Sequence, residues 1–326
     1  MQATRTRRAE HALSSNIIEM ERRGVSTSCL KSWIGEAKHA ARQRARDREA
    51  LECYLAASSL SPEEAIRHLQ ELEPDLGADV SEVWSPPRLT AKARRAGLVP
   101  GAAIDFITGY DVLTATGRSR AWATLMASPP RVLVLSPPCH AFSSLLRLCK
   151  KFRGSVKHVK ILAEGLRHLK FMTKLARWQI KNGRHFIFEH PAGAESWNEE
   201  MIKSLLKLPG VYTTKVDQCR YGMMSPSGEA RMKKGTKFAT NIPEAEVHLA
   251  LRCDQKCREE APHQAIEGTE FSPLLGKTVR RSWWAQHYPD GLVTALLRCV
   301  KAAKTSDATR IDQVECHTAI PPPGKH

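Results

Sequence analysis

Nowhere does this chain of 326 residues carry the uninterrupted run of about eighteen apolar residues that a membrane span needs. Its opening, MQATRTRRAE, is basic but lacks the apolar stretch of a secretory leader. Organelle transit peptides are poor in acid, and Glu10, Glu19 and Glu21 break that pattern. These absences predict an intracellular protein, nuclear or cytoplasmic, and the nucleus is the expected place of the two. The nine cysteines are odd in number and lack regular spacing, which argues against a disulfide framework. No internal repeat is present. Acid is also scarce: 34 Asp and Glu face 50 Lys and Arg, a formal net charge of +16. That field favours polyanions, so nucleic acid is the expected partner, with a generally basic, soluble surface as the plainer alternative.

What is present is enough apolar character, 42% of the chain, to bury a full core. Residues 1–76 read as a helical, basic extension (RRAEHALSSNIIEMERR, EAKHAARQRARDREALECYLAA, SPEEAIRHLQELEP), with Ser61 and Glu64 in a capping-box pattern. Its sparse apolar positions suit either a partner-binding arm or a solvated face. From residue 77 to 303 short apolar runs alternate with helical stretches, the pattern of a Rossmann-like, doubly wound α/β domain with a mainly parallel sheet and flanking helices. The predicted strands are VSEVW (80–84), AAIDF (102–106), VLVL (132–135), HFIF (185–188), VYTTKV (211–216) and TKFAT (236–240). Between the third and fourth, Val159, Leu162, Leu166, Leu169, Met172 and Leu175 recur at helical spacing, predicting a crossover helix over 156–181. A right-handed crossover joins parallel strands, so the ends of VLVL and HFIF are expected on one sheet edge. Residues 241–280 read as an insert and 304–326, closing on AIPPPGKH, as a flexible tail.

VLVL runs directly into Ser136-Pro137-Pro138-Cys139-His140-Ala141-Phe142-Ser143. Two prolines end the strand and hold the cysteine on a stiff turn at the sheet edge, where a nucleophile is useful. His140, Arg147 or a following helix N-terminus could favour thiolate there. The plainer alternative is a small buried hydrophobe. HFIF ends in Glu189-His190-Pro191, a carboxylate one crossover away, suited either to proton transfer or to an ordinary pairing with Lys or Arg.

SPPCHAFS resembles the proline-cysteine motif of cytosine-5 DNA methyltransferases, and FEHP stands where that family has its glutamate-asparagine-valine motif. EVWSPP followed by KARRAGL resembles the first motif, AIDFITGYD the acidic second, DQCRYGM (217–223) the tyrosine-glycine segment, and WAQHYPDGLVTALLRCV (284–300) the closing helix. The resemblance spans about residues 80–302. It implies catalysis by Cys139 and Glu189, with Glu82, Trp84, Ser85, Asp105, Asp111 and Pro137 around S-adenosylmethionine. It further implies nucleic-acid contacts from Ser143, Arg147, Lys150, Lys151, Arg153, Lys157, Arg220, Arg231, Lys233 and Lys237, with Lys234 among the substitute cations. EVWSPPR, SPPCHAFS, FEHPAGAESW and AQ-x-YP also resemble segments of proteins linked to retroelements.

The sequence departs from that family at several points. Ser85-Pro86-Pro87 replaces glycines that let the backbone approach the cofactor, and proline has no N–H to donate. His190 replaces an asparagine, the arginine pair of the eighth motif has no clear counterpart, and the insert leaves little room for a separate target-recognition domain. Two functions therefore stand: a DNA cytosine-5 methyltransferase, and a catalytically silent nucleic-acid-binding domain of a mobile-element protein. Separately, His248, Cys253, Cys257 and His263 lie within sixteen residues and could offer four zinc ligands, but the irregular spacing favours an ordinary reduced loop and no metal. Trp178, Trp197, Trp283 and Trp284 suit base stacking or core cover.

Overall fold

The computed structural model describes residues 77–143 and 154–318, with side chains as far as Asp307. The expected extension, 1–76, lies outside the described residues, and so do Arg147, Lys150, Lys151 and Arg153.

In chain order the elements are β1 (Val80–Val83), α1 (Leu89–Ala93), β2 (Pro100–Ile104), α2 (Ala115–Ala127), β3 (Val132–Leu135), α3 (Val156–Lys181), β4 (His185–Pro191), α4 (Glu200–Leu206) and β5 (Tyr212–Asp217). There follow β6 (Arg231–Met232), β7 (Gly235–Thr240), α5 (Ala245–His248), α6 (Gln255–Glu260), β8 (His263–Gln264), β9 (Thr269–Ser272), β10 (Lys277–Arg280), α7 (Arg281–Trp284) and α8 (Asp290–Thr318). All six strands predicted from the sequence enter one sheet, ordered β2-β1-β3-β4-β7-β5. The pairs β1–β2, β1–β3 and β3–β4 are parallel, while β7 runs antiparallel to both β4 and β5.

Alternation along the strands builds two cores, one on each face. Val132, Val134, Ile187 and Phe238 point to one side and pack with Leu89 of α1 and with Leu292, Leu296 and Val300 of α8. Leu133, Leu135, Phe186 and Phe188 point to the other, against Leu125 of α2, Leu169, Met172 and Leu175 of α3, and Leu205 of α4. Helices on both faces of a mainly parallel sheet define a Rossmann-like, doubly wound α/β fold. Among the described residues no helix is long and apolar enough to cross a membrane.

Helix α3 has the predicted bounds, with the Ser155 hydroxyl accepting from the His158 N–H at 3.2 Å as its N-cap. Its buried stripe begins later than the spacing suggests: Val159 is 60% exposed, and burial starts at Gly165. The tail expected from residue 304 is also corrected, because α8 continues to Thr318. The reason is electrostatic anchorage to the sheet: Lys304 Nζ lies 3.2 Å from Asp79, and Asp307 contacts Arg131 at 2.5 Å and His185 at 3.2 Å. Within the insert, β8 pairs in parallel with β6 and β9–β10 form an antiparallel hairpin.

Candidate functional site

From β1 the chain crosses to β2 on one side, and β3 and β4 lie on the other, so the sheet reverses its order between β1 and β3. Ligands of open α/β sheets bind outside the carboxyl ends of the strands at such a point. Both the Trp84–Pro87 segment and the Ser136–Cys139 turn emerge there.

Pro137 is buried and Cys139 half-buried, leading into a single 3-10 turn over His140–Phe142. Two features hold this turn. Gly165 of α3 comes so close that a Cβ on it would sit 2.5 Å from the Ala141 methyl and 3.0 Å from the Phe142 ring. On the other side the buried His190 places Nε2 3.0 Å from the Pro137 carbonyl and Nδ1 2.6 Å from the Ser196 hydroxyl. The carbonyl only accepts, so Nε2 carries the proton and the serine donates to Nδ1. Burial lowers His190 to about 4, which keeps it neutral in that tautomer. His190 therefore ties the cysteine turn to the end of β4.

Register pairs Leu135 with Phe188, so Glu189 and the cysteine turn leave neighbouring parallel strands at one edge, as the crossover argument predicts. Glu189 Oε1 is buried without a hydrogen-bond partner, and Lys234 Nζ lies 3.8 Å away while donating to the Ala285 carbonyl at 3.1 Å. Burial and the Glu189 charge raise the Cys139 thiol, and Lys234 partly offsets them. At neutral pH the resting group is the thiol. Tyr288 bonds the Ser136 hydroxyl at 2.9 Å under the Arg88 guanidinium, and burial followed by the Glu189 charge holds its phenol well above the ordinary range. Lys234 was expected only as a substitute cation, and Tyr288, missed as a site residue, lies in the 284–300 segment that carries the resemblance.

The residues expected around S-adenosylmethionine divide. Trp84 has φ of 61°, the one positive value at a non-glycine among the described residues, a strain of about 1–3 kcal/mol. Its indole donates to His168 Nδ1 at 2.9 Å, and its ring meets His168 and Phe171 edge-on. The Glu82 carboxylate accepts from the N–H groups of Arg88, Leu89 and Thr90 at 2.9, 3.4 and 3.0 Å and from the Thr90 hydroxyl at 2.6 Å. It caps α1. Ser85 is buried and donates to the Pro86 carbonyl. Asp105 ends β2 in a tight turn, accepting from Ile107 N–H at 2.9 Å, with its carboxyl raised by burial. Beside it Phe106, missed in the sequence, is 76% exposed. Asp111 precedes α2, accepting from Leu113 N–H at 3.0 Å.

Of the residues expected on nucleic acid, Lys157 and Lys233 are exposed. Ser143 is half-buried where the cysteine turn ends. Lys237 stacks its ammonium over Trp197, 4.4 Å from the ring centroid. Arg220 and Arg231 are turned to partners of their own: Arg220 pairs with Asp254, and Arg231 contacts Glu260 at 3.0 Å and Cys257 Sγ at 3.2 Å. Trp178 tilts against Trp122, and Trp284 donates to the Met224 carbonyl. Around Cys257 the chain gathers Cys219, Cys253 and His263, whose ligand atoms all lie within 4.8 Å of one another. His248 does not belong to that group; Cys219, from the turn after β5, takes the place assigned to it.

Fold and site together define a Rossmann-like α/β domain with a cysteine and a glutamate at its switch-point edge. No family model and no curated protein matches the chain. Among solved structures it is similar to the Dnmt2 methyltransferase of S. pombe, with a TM-score of 0.27 and 12% identity over 54% of this chain and 55% of that one. The match spans about half of each protein.

Proposed function

We propose that this chain is a nuclear methyl-transfer domain acting on cytosine in DNA, with S-adenosylmethionine as methyl donor. Its main support is the emergence of Cys139 and Glu189 from adjacent parallel strands, close enough for the carboxylate to act on the thiol. The adenosine half of the cofactor suits the residues at the end of β2, where Asp105 can accept from ribose hydroxyls and exposed Phe106 offers a face to adenine. The methionine half finds few donors: Pro86 and Pro87 lack N–H groups, and those of Arg88, Leu89 and Thr90 are occupied by Glu82.

When bound, S-adenosylmethionine supplies an electrophilic methyl group. The protein's own residues make carbon 5 of cytosine able to accept it. In a base swung out of the duplex, the Cys139 sulfur bonds to carbon 6 while Glu189 steadies or protonates the ring nitrogen. The resting thiol first passes its proton to the Glu189 carboxylate, which removes the negative charge that holds the thiol up and leaves Lys234 to favour the thiolate; Glu189 delivers that same proton to the ring nitrogen as the carbon–sulfur bond forms. Once carbon 5 carries the methyl group, a water molecule takes its proton, the released pair re-forms the carbon 5–carbon 6 double bond, and the carbon–sulfur pair leaves on Cys139 as thiolate. Incubation with fluorocytosine-containing DNA and S-adenosylmethionine is expected to trap a covalent adduct that is lost in Cys139→Ala. Absence of the adduct in protein that binds the cofactor overturns cytosine chemistry.

A second reading, a catalytically silent nucleic-acid-binding domain of a mobile-element protein, is favoured by the Glu82 cap and the two prolines. Calorimetry separates the two: no heat with S-adenosylmethionine at high micromolar concentration selects the silent domain.

A further inference from the structure

We propose that Cys219, Cys253, Cys257 and His263 bind one structural zinc ion that fastens the insert to the end of β5. The inference is independent of the chemistry at Cys139.

The ligand geometry comes first. With Zn–S of roughly 2.3 Å and Zn–N of roughly 2.0 Å, a tetrahedral site has sulfur–nitrogen edges of roughly 3.5 Å and sulfur–sulfur edges of roughly 3.8 Å. His263 Nε2 lies 3.4 Å from Cys257 Sγ and 3.6 Å from Cys253 Sγ. All four ligand atoms fall within 4.8 Å, and the three cysteines are free thiols. His263 Nδ1 sits 3.0 Å from the Ala261 carbonyl, so Nδ1 holds the proton and Nε2 turns its lone pair inward. A backbone acceptor that fixes the tautomer is the usual support of a metal-bound histidine.

The surrounding backbone holds the thiols without help from a metal. Asp217, the last residue of β5, accepts from Cys253 N–H at 2.9 Å, and Asp254 accepts from Cys257 N–H at 2.8 Å at the start of α6. Three thiols crowded together oppose ionisation: burial and the neighbouring Cys257 and Cys253 push Cys219 up to about 12. A divalent cation reverses that by making each sulfur a thiolate ligand. Three thiolates leave one negative charge over on the site, and the Arg231 guanidinium, 3.2 Å from Cys257 Sγ, is placed to meet it. The local need is also plain. The small apolar cluster in this region consists of Met223, Met232 and Ala285, with Ile266 and Trp284 packed on it. So small a core gains from a metal staple.

The test uses the full chain, produced without a polyhistidine tag in unsupplemented medium and purified without chelator. Elemental analysis is expected to find one zinc per chain, released to a chromogenic chelator only after a mercurial modifies the thiols. Cobalt exchanged into the site should give the visible bands of a tetrahedral centre with sulfur-to-metal charge transfer. His263→Cys, which preserves binding, should strengthen that charge transfer. Cys219→Ser should lose stoichiometric zinc and His248→Ala should keep it. Zinc-free protein whose unfolding is unmoved by chelator overturns the proposal. So does iron in place of zinc, a disulfide among the three cysteines, or zinc retained in Cys219→Ser but lost in His248→Ala.

Discussion

Cys139 sits between two opposing charges, and that balance is measurable. Because burial and Glu189 raise its thiol, alkylation at Cys139 should be slow at neutral pH and accelerate on the alkaline side of the ordinary thiol range. Glu189→Gln removes a raising charge and should move the profile to lower pH, whereas Lys234→Met should move it higher. Peptide mass spectrometry of the alkylated chain reads both shifts, and movement in the same direction would show that the two side chains do not bracket the sulfur. His190 carries a second prediction. Its folded pKa of about 4 lies below the ordinary 6.5, so the unfolded chain binds more protons between those values. Its contribution to stability is complete above about pH 6.5 and falls as acid takes the pH toward 4, by roughly 3 kcal/mol in all. Denaturant titrations across that range should be less acid-sensitive in His190→Asn, since an amide does not titrate.

Among the elements, α3 and α1 decide where the site's backbone lies. Gly165 lets α3 press against Ala141 and Phe142, so Gly165→Ala must push the cysteine turn outward. A loss of roughly 1–3 kcal/mol in thermal unfolding is expected, as for other overpacked cores. A changed Cys139 alkylation rate should accompany it; an unchanged rate would mean that the turn is not positioned by α3. At the head of α1, Glu82→Ala leaves three N–H groups without their acceptor and should cost roughly 1–3 kcal/mol. If those donors are what the methionine carboxylate lacks, the same variant should bind S-adenosylmethionine more tightly by calorimetry. Weaker or equal binding would place the cofactor's acid elsewhere.

At the scale of the whole molecule, the excess of cations is distributed unevenly in use. Arg220 and Arg231 are spent on Asp254, Glu260 and Cys257, while Lys157 and Lys233 stand exposed. DNA affinity measured by fluorescence anisotropy should therefore fall steeply with salt. Lys157→Ala and Lys233→Ala should each lower the slope of log affinity against log salt by about one, if each neutralises a phosphate. Arg220→Ala should leave the slope unchanged and reduce stability instead.

The positions of the six main strands and of the long crossover helix were legible in the sequence, because period-two and period-3.6 burial patterns are local and a doubly wound sheet repeats them. The cysteine and glutamate were legible for the same reason: each directly follows a strand whose edge the crossover rule determines. Tertiary structure alone decided which polar groups spend themselves on each other. Glu82 gives its carboxylate to the N–H groups of α1, and Asp111 accepts from Leu113 just before α2. His190 read as a lost asparagine, yet in space it braces Pro137. Cys219 lies far from Cys253 in sequence, so no spacing rule could join it to a group formed only when the turn after β5 meets the insert. Strand and helix periodicity is written within a few residues, whereas hydrogen-bond and ligand partners are chosen by the path of the whole chain.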